Sequence, residues 1–561
     1  MPSAMCSSHA PYPSRGTRAS PEGEPSSRKE LRSLGTGSSG RRGVRGGACT
    51  TRSPSRAIAR EGAEQDREWP TIHPLRLGQT AWTGRGAFSR SAMSPQLSSS
   101  SARPRSRRPG RRFGAAIAAL TASAAAAAGL WGASPAPGQA SPGGGSDMPE
   151  TLQAAPATLR TPFEVSNGAR WTTFPESRRF WRQLDRSSDR VRVTRVGRSV
   201  EGRPLQLVAV GDPAPATLSE AADGSVLMYT CSVHGDENSG REACMRLARD
   251  MSTTTDPAWR RLLRDTTVLF INLNPDGWVA NTRENAQDLD VNRDYMALQS
   301  PEARAVVKVI RDWKPDVLND LHEYGANPYY RTDLLQLWPR NRQTDQTIHD
   351  LARLMSEDYA GGQVEASGYT AGEYGIFVKD GEPFRQVAGD EQGRILRNYA
   401  GLQHVVGMLS ETASNALNPE EEADESLLNR RRVEVNYLSA VGSAYFTLEN
   451  RDTLTRETAA AAERVTEEGA TRSGVVYFAG QDNVLPTEDS EVEPEPMCGY
   501  QLSTEQRQAI APTLRLHGIT WSNNAQGAYV TMAQEDQPLI PLLLDARSEY
   551  RITEATPVET C

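Results

Sequence analysis

Two histidines and a glutamate in this chain have the spacing of a catalytic metal site. His234 and Glu237 are three residues apart at the end of an apolar run, and His322 follows a second apolar run much later in the chain. Two imidazoles and one carboxylate fill three positions of a tetrahedral zinc site and leave the fourth open, as in zinc sites that do chemistry. A His-x-x-Glu pair alone is a weak signal, and a lone histidine usually belongs to the core or the surface. The three together predict a zinc site.

A further carboxylate and a polar loop supply groups that such a site needs. Glu411 follows the apolar residues 405–409, where partial burial would raise its pKa toward the range of a general base. The loop at 281–295 carries Arg283, Asn292 and Arg293, and guanidinium and amide groups together bind carboxylates well. Taken alone, Glu411 is more simply a solvated residue and the loop a charged surface segment.

The segments that must position these residues alternate between strands and helices. Strands are predicted at 190–196, 205–210, 225–233, 267–272, 315–321 and 405–409, and helices at 238–251, 301–313, 347–359 and 391–403. This order predicts an α/β fold with a mixed central sheet and helices on both faces. His234, His322 and Glu411 each come just after a predicted strand, so we expect them to meet at one sheet edge.

Several short motifs resemble the zinc carboxypeptidase family, the funnelin-type metallocarboxypeptidases, and most closely its bacterial branch. They are HGDE at 234–237, NPDG at 274–277, TREN to DLDVNRDY at 282–295, LHEYG at 321–325 and LSETAS at 409–414. The resemblance covers roughly residues 165–415, and the motifs occur in the family's order. It implies a carboxypeptidase-like α/β sandwich.

The resemblance also implies a role for each site residue. His234, Glu237 and His322 would bind one zinc ion per chain. Glu411 would be the general base for the attacking water and would pass the proton to the leaving amine. Asp290 would orient the first histidine ligand, as partners of metal-bound histidines do.

Three residues of the 281–295 loop would handle the substrate. Arg283 would polarise the scissile carbonyl and stabilise the oxyanion, and Asn292 with Arg293 would grip the terminal carboxylate of a peptide or protein substrate. Holding that carboxylate would make the enzyme an exopeptidase.

The sequence departs from the digestive members of the family in two places. Those enzymes have Ser-Tyr after the last zinc histidine, whereas this chain has Glu323-Tyr324. The family's mobile tyrosine, which covers the substrate, has no matching motif here. Tyr369, Tyr374 and Tyr399 remain candidates for it.

Charge divides the chain into two parts. Residues 1–140 contain 21 Lys+Arg and 7 Asp+Glu, so they carry +14, and the whole chain carries −7; residues 141–561 therefore carry −21. An acidic body lacks the basic face that nucleic acids require. Residues 1–112 read as a disordered basic leader, of which 1–92 would not be translated if synthesis starts at Met93.

An export signal is expected at 113–140, where an apolar segment follows Arg111-Arg112 and ends in small residues. The alternative is a membrane-spanning helix, which would hold the protein at a membrane. We therefore expect a secreted or cell-envelope protein, exported by the Sec or the twin-arginine route. Of six cysteines, Cys231, Cys244, Cys498 and Cys561 follow this signal and could form disulfides of undecided connectivity.

The remaining boundaries follow from composition. A linker is expected at 141–160, a catalytic domain at 161–420, a helical connector at 421–470 and a small β-rich C-terminal region at 471–561. The predicted function is an exported zinc metallocarboxypeptidase. The alternatives are a zinc amide hydrolase acting on cell-wall peptides or acyl-amino acids, and a non-enzymatic binding protein with a relic site.

Overall fold

The computed structural model describes residues 159–221, 224–328, 330–379, 382–385, 391–479 and 492–561. All of them belong to one compact unit, Ala133–Cys561. The predicted basic leader, the export signal, Cys6, Cys49 and nearly all of the predicted linker lie outside the described residues. Within the described ranges, no helix combines the length and the apolar character needed to cross a membrane.

An eight-stranded mixed sheet forms the centre of the fold, in the order β1-β2-β4-β3-β5-β10-β6-β7. Its strands are β1 Val191–Arg198, β2 Pro204–Val210, β3 Ser225–Thr230, β4 Thr266–Ile271, β5 Val317–Tyr324, β6 Leu334–Leu337, β7 Ala371–Glu373 and β10 Val406–Ala413. β4, β3, β5 and β10 run parallel to one another. β1 pairs antiparallel with β2 and β2 with β4, while β6 is antiparallel to β10 and parallel to β7. A hairpin of β8 Ile376–Lys379 and β9 Glu382–Arg385 lies outside this sheet. The predicted mixed α/β architecture is confirmed.

Helices cover both faces of the sheet. They are α1 Pro162–Val165, α2 Phe174–Ser187, α3 Ser239–Thr253, α4 Pro257–Asp265, α5 Pro275–Ala280, α6 Pro301–Trp313, α7 Gln346–Leu354, α8 Gly362–Ala366, α9 Leu396–Leu402, α10 Pro419–Ala423 and α11 Glu425–Thr471. A π-helical turn, Met355–Gly361, joins α7 to α8. Because side chains alternate along a strand, Leu269 and Ile271 of β4 pack with α6 and α9, whereas Val268 and Phe270 pack with α2, α3 and α11.

The sequence-based strand ends were wrong at two places that matter for the site. His322 and Glu411 were expected just past their strands, yet β5 runs to Tyr324 and β10 to Ala413. The two strands pair in parallel, with His322 opposite Glu411, and the pairing continues to Tyr324 and Ala413. The polar residues that marked the ends in the sequence stay in the sheet because neighbouring strands satisfy their backbone groups.

The segment predicted as a helical connector is a single helix, α11, that also packs against the catalytic sheet. It begins at the cap Asp424, whose side chain accepts a hydrogen bond from the Ser426 N–H. The buried residues between Asn429 and Thr447 lie over β3, β5 and β10, the three strands that carry the site. The helix therefore belongs to the layer that covers these three strands.

The C-terminal region contains a four-stranded antiparallel sheet, β14-β15-β13-β16, as the expectation of a β-rich region requires. Its strands are β13 Gly499–Ser503, β14 Ser522–Asn524, β15 Gly527–Thr531 and β16 Thr556–Val558, and a two-stranded pair, β11 Val476–Tyr477 with β12 Val492–Glu493, precedes them. Two helices that the sequence did not indicate, α12 Thr504–His517 and α13 Leu539–Leu544, complete the region. Disulfides join Cys231 to Cys244 and Cys498 to Cys561.

Candidate metal centre and active site

Three parallel strands bring the predicted metal ligands and Glu411 to one edge of the sheet. His234 and Glu237 lie in the turn between β3 and α3, while His322 and Glu411 face each other near the ends of β5 and β10. All four side chains are largely buried, and each metal-ligand residue is less than 10% exposed. The parallel order of β3, β5 and β10 therefore gathers residues 177 positions apart in the chain.

The ligand atoms of His234, Glu237 and His322 converge on one point. The two Nδ1 atoms are 3.2 Å apart, and the Glu237 carboxylate lies 2.6 Å from His234 Nδ1 and 3.0 Å from His322 Nδ1. Ligands about 2.0–2.1 Å from a tetrahedral zinc are about 3.3 Å from one another. Two imidazoles and a carboxylate at such separations fit a divalent metal, and this is the one such cluster among the described residues.

A carboxylate holds the far nitrogen of each histidine. Asp290 lies 3.2 Å from His234 Nε2, which is the contact expected of it, and Asp320 lies 2.8 Å from His322 Nε2. Each carboxylate accepts the Nε2 proton and thereby leaves Nδ1 free to face the metal position. The sequence analysis missed Asp320. Its signal was its place two residues before His322, on the same side of a strand.

Charge is concentrated in this cluster. Burial disfavours protonation of His322, but the Asp320 and Glu237 carboxylates outweigh it and raise the His322 pKa well above its usual value. Burial would likewise raise the pKa of Glu237, yet the neighbouring histidines hold that pKa far below its usual value. The site therefore favours a positive charge between these residues. A bound cation would supply it.

Two loops come into contact next to the metal ligands because each has a glycine at the point of contact. A Cβ on Gly235 would lie 2.0 Å from the carbonyl carbon of Gly277, so the HGDE and NPDG turns touch through bare backbone. The Asn274 side chain accepts from the Gly277 N–H and donates to the Arg283 carbonyl, at 2.9 and 3.2 Å. The NPDG turn thus fixes the start of the arginine loop against the metal ligands.

Arg283 reaches the cluster from this loop. Its guanidinium donates to Asp290 at 2.9 and 3.1 Å, and its Nη1 lies 3.1 Å from His234 Nδ1. A guanidinium in this position can polarise a carbonyl oxygen that approaches the metal.

Asn292 and Arg293 line the same cavity. The Asn292 amide nitrogen lies 3.2 Å from His322 Nε2, and its oxygen accepts from the Leu396 N–H at 2.9 Å. Arg293 donates to the Asn292 carbonyl at 2.9 Å. Both residues lie at the cavity, and their expected contact with a substrate carboxylate stays a prediction.

Glu411 has the surroundings of a general base. Burial raises its pKa to about 7, with Glu237 adding to the shift while the histidines and Arg283 oppose it. Its Oε2 is buried and has no hydrogen-bond partner among the described residues. A carboxylate in this environment is poised to take up a proton near neutral pH.

A cavity of about 470 Å³ opens over these groups. Besides the two histidine ligands, Glu411 and the loop residues, the cavity lining includes Glu323, Tyr324, Tyr330, Tyr374 and Arg397. Of the three tyrosines considered for the covering role, only Tyr374 lines the cavity. Tyr399 is fully buried and bonded to His517, and Tyr369 packs with Val364 and Leu438 on α8 and α11.

Comparisons with known proteins agree with this geometry. Residues 178–392 match the family model for zinc carboxypeptidases. The chain is 30% identical to carboxypeptidase SOL1 of Arabidopsis thaliana over 30% of this chain and 37% of that protein. It is 24% identical to carboxypeptidase 2 of Trichophyton rubrum over 42% of this chain and 45% of that protein.

A solved metallo-carboxypeptidase from Burkholderia cenocepacia aligns over 49% of this chain and 69% of that chain, with a TM-score of 0.39 and 20% identity. The chain spans about half, or less, of the length of the curated relatives it matches.

The fold and the site define an α/β domain with a buried cluster that could hold a metal ion. More specifically, residues 178–392 match the zinc carboxypeptidase family, in agreement with the resemblance seen in the sequence, while the bacterial branch stays a prediction. The family match and the buried His-Glu-His cluster together indicate zinc as the metal.

Proposed function

We propose that this protein is an exported metallocarboxypeptidase that holds one zinc ion per chain and releases the C-terminal residue of peptides. The observation that carries the proposal is a single cavity at which His234, Glu237 and His322 converge beside Glu411 and Arg283. That combination offers a metal site, a base and an oxyanion donor within one enclosed space.

Zinc held by His234, Glu237 and His322 would supply a Lewis acid that lowers the pKa of water from near 16 to about 7. Glu411 takes the proton of the attacking water, since its carboxylate faces the cavity with a free buried oxygen, and returns that proton to the leaving nitrogen. Arg283 donates to the carbonyl oxygen as negative charge develops on it. Arg293 and the Asn292 amide bind the terminal carboxylate, and the Asn292 oxygen accepts from the Leu396 N–H, which fixes the amide in place.

Tyr374 is the residue proposed to close over the substrate. It lines the cavity, and burial, together with the Glu411 charge, raises its pKa to about 12, so its hydroxyl remains a donor at neutral pH. A hydroxyl donor here can bind the peptide next to the cleaved bond.

The decisive experiment is digestion of a peptide library by the full chain, with and without a chelator, followed by mass spectrometry. Removal of single C-terminal residues that stops with chelator and returns with added zinc supports the proposal. Cleavage of muropeptides or acyl-amino acids in place of linear peptides would make the protein a different amide hydrolase. Zinc content near zero with no hydrolysis would make it a binding protein.

A substitution separates chemistry from metal binding. Glu411→Gln should lower kcat by about a hundred- to ten-thousandfold, the usual contribution of a general base, while one zinc per chain is retained. Asp536→Asn changes a half-buried carboxyl that bonds to Gln403 and does not line the cavity, and it should leave kcat unchanged. A Glu411→Gln enzyme with nearly normal turnover would disprove the assignment of the base.

Export is the second part of the proposal. Two disulfides, Cys231–Cys244 and Cys498–Cys561, support it because disulfides persist in oxidising compartments outside the cytoplasm. The basic and apolar segments at 107–140 support it as a signal. Cell fractionation with N-terminal sequencing of the mature chain tests it, and protein found reduced in the cytoplasm would contradict it.

A further inference from the structure

Glu323, the residue after the metal ligand His322, is a buried glutamate. Its charge is paired with an arginine of α11, a helix that lies beyond the residues matched to the family. Glu323 is 9% exposed, and one of its carboxylate oxygens forms an ion pair with Arg432 of α11. The other oxygen accepts from the Ser239 N–H at 2.7 Å and from the Ser239 hydroxyl, at the start of α3. Glu323 therefore ties together β5, α3 and α11.

The same residue holds a metal ligand through its backbone. The Glu323 N–H donates to Glu237 Oε2 at 3.2 Å, and that oxygen is the one 3.0 Å from His322 Nδ1. The contacts of the Glu323 side chain with Ser239 and Arg432 thus anchor the residue whose N–H holds the Glu237 carboxylate. The orientation of Glu237 thus depends on a side chain that does not itself point its carboxylate at the metal position.

Helix α11 completes this arrangement with a second contact. Asn436, one turn after Arg432, donates to the Ser239 hydroxyl at 2.8 Å and approaches the His322 carbonyl at 3.5 Å. Arg432 itself lies over the Trp171 ring at 4.9 Å and donates to Asn429 at 3.0 Å, so its guanidinium is held in place. One helix face therefore touches both segments that supply metal ligands.

Arg432 and Glu323 depend on each other because each compensates the charge of the other in a buried position. The side chains of Arg432 and Glu323 are only 12% and 2% exposed. Removing one partner of a buried ion pair leaves the other charge uncompensated and is strongly unfavourable. Without Arg432, the buried Glu323 carboxylate would lose this counter-charge and be drawn toward water, away from Ser239.

We propose that Glu323 and Arg432 are positioning residues for the metal centre, and that α11 acts through them to set the affinity for zinc. The inference rests on the proposed function only in taking zinc as the metal. It also accounts for Glu323-Tyr324 where the digestive enzymes have Ser-Tyr, since here a helix beyond residue 420 provides the matching arginine.

Zinc affinity of the full chain, measured by competition with a chromophoric chelator, tests the proposal without any activity measurement. Arg432→Gln and Glu323→Gln should each weaken zinc binding about ten- to hundredfold, the usual effect of losing a partner that orients ligands. The double variant should bind zinc about as weakly as either single variant, because both remove the same interaction. At saturating zinc, the kcat of Arg432→Gln should recover toward that of the wild type.

The matched control is Arg464→Gln. It removes a different ion pair of the same helix, in which Arg464 lies 2.8 Å from Asp345, and neither residue lines the cavity. Its zinc affinity should stay within twofold of the wild type. Folded Arg432→Gln and Glu323→Gln proteins with wild-type zinc affinity would overturn the proposal. Should Arg432→Gln fail to fold, Glu323→Gln, which keeps the shape of the side chain, decides alone. Wild-type protein that binds zinc but hydrolyses nothing would refute the proposed function and leave this test intact.

Discussion

Two histidines, His322 in the metal centre and His517 at the end of α12, are equally buried and have opposite chemistry. His322 is 1% exposed and His517 is fully buried. His322 contacts the carboxylates of Asp320 and Glu237, which raise its pKa well above the usual value despite burial. His517 accepts from the Tyr399 hydroxyl at 2.9 Å and donates to the Met296 carbonyl at 3.0 Å, and burial lowers its pKa to about 4.

The difference lies in the partners and not in the burial. Carboxylates around His322 attract positive charge, whether it comes from protons or from a metal ion. Neutral partners around His517 keep its imidazole uncharged, so it acts as a hydrogen-bonding link between the C-terminal region and the catalytic layer. His322 serves metal binding, and His517 joins the C-terminal region to the central part of the fold.

Replacing His322 or His517 by glutamine, one at a time, should produce the largest difference in zinc binding and hydrolysis. His322→Gln removes a metal ligand and should abolish stoichiometric zinc binding and lower kcat/KM at least a thousandfold, about 4 kcal/mol of transition-state stabilisation. His517→Gln should retain one zinc per chain at temperatures where it is folded. Metal analysis by mass spectrometry and hydrolysis rates check this. Loss of zinc from His517→Gln alone would reverse the comparison.

Acid should act on the fold through His517. Because its folded pKa is about 4, below the usual 6.5, the unfolded chain takes up this proton first. The stability contributed is complete above about pH 7 and is lost as the pH falls toward 4, by about 3 kcal/mol in total. Chemical denaturation between pH 7 and 4 measures the free energy of unfolding, and His517→Gln should show a slope smaller by one proton. Equal slopes for the two proteins would exclude this role.

The environment of His322 can be made to resemble that of His517 by one isosteric change. Asp320→Asn keeps an acceptor for His322 Nε2–H but removes the negative charge, and it should weaken zinc binding about ten- to hundredfold with the fold retained. Chelator competition provides the measurement. Unchanged affinity would show that geometry alone, and not charge, makes His322 a ligand.

The smallest expected effect comes from the partner of His517. Tyr399→Phe removes one buried hydrogen bond and should lower the free energy of unfolding by about 1–2 kcal/mol, with zinc affinity unchanged. Thermal and denaturant unfolding followed by circular dichroism are suitable measurements. A change in zinc affinity in this variant would mean that the two histidines are coupled.

Much of the fold was readable from local patterns. The helix at 301–313 was predicted with its bounds because Pro301 starts it and its apolar residues recur at helical spacing, and in the structure Ser300 caps it. The buried strands β3 and β4 were found because continuous apolar runs mark strands covered on both faces. The ends of β5 and β10 were missed, since polar residues there are paired only once the two strands meet.

The sequence by itself determined the kinds of groups in the site and the strands that deliver them, because His-x-x-Glu, the lone His322, Glu411 and the arginine loop carry their chemistry in residue type and spacing. Only the tertiary structure decided that Asp320 holds His322, that Tyr374 faces the cavity, and that Arg432 meets Glu323 from 109 positions away. Those contacts depend on strand register and helix packing, which bring together residues with no local pattern in common.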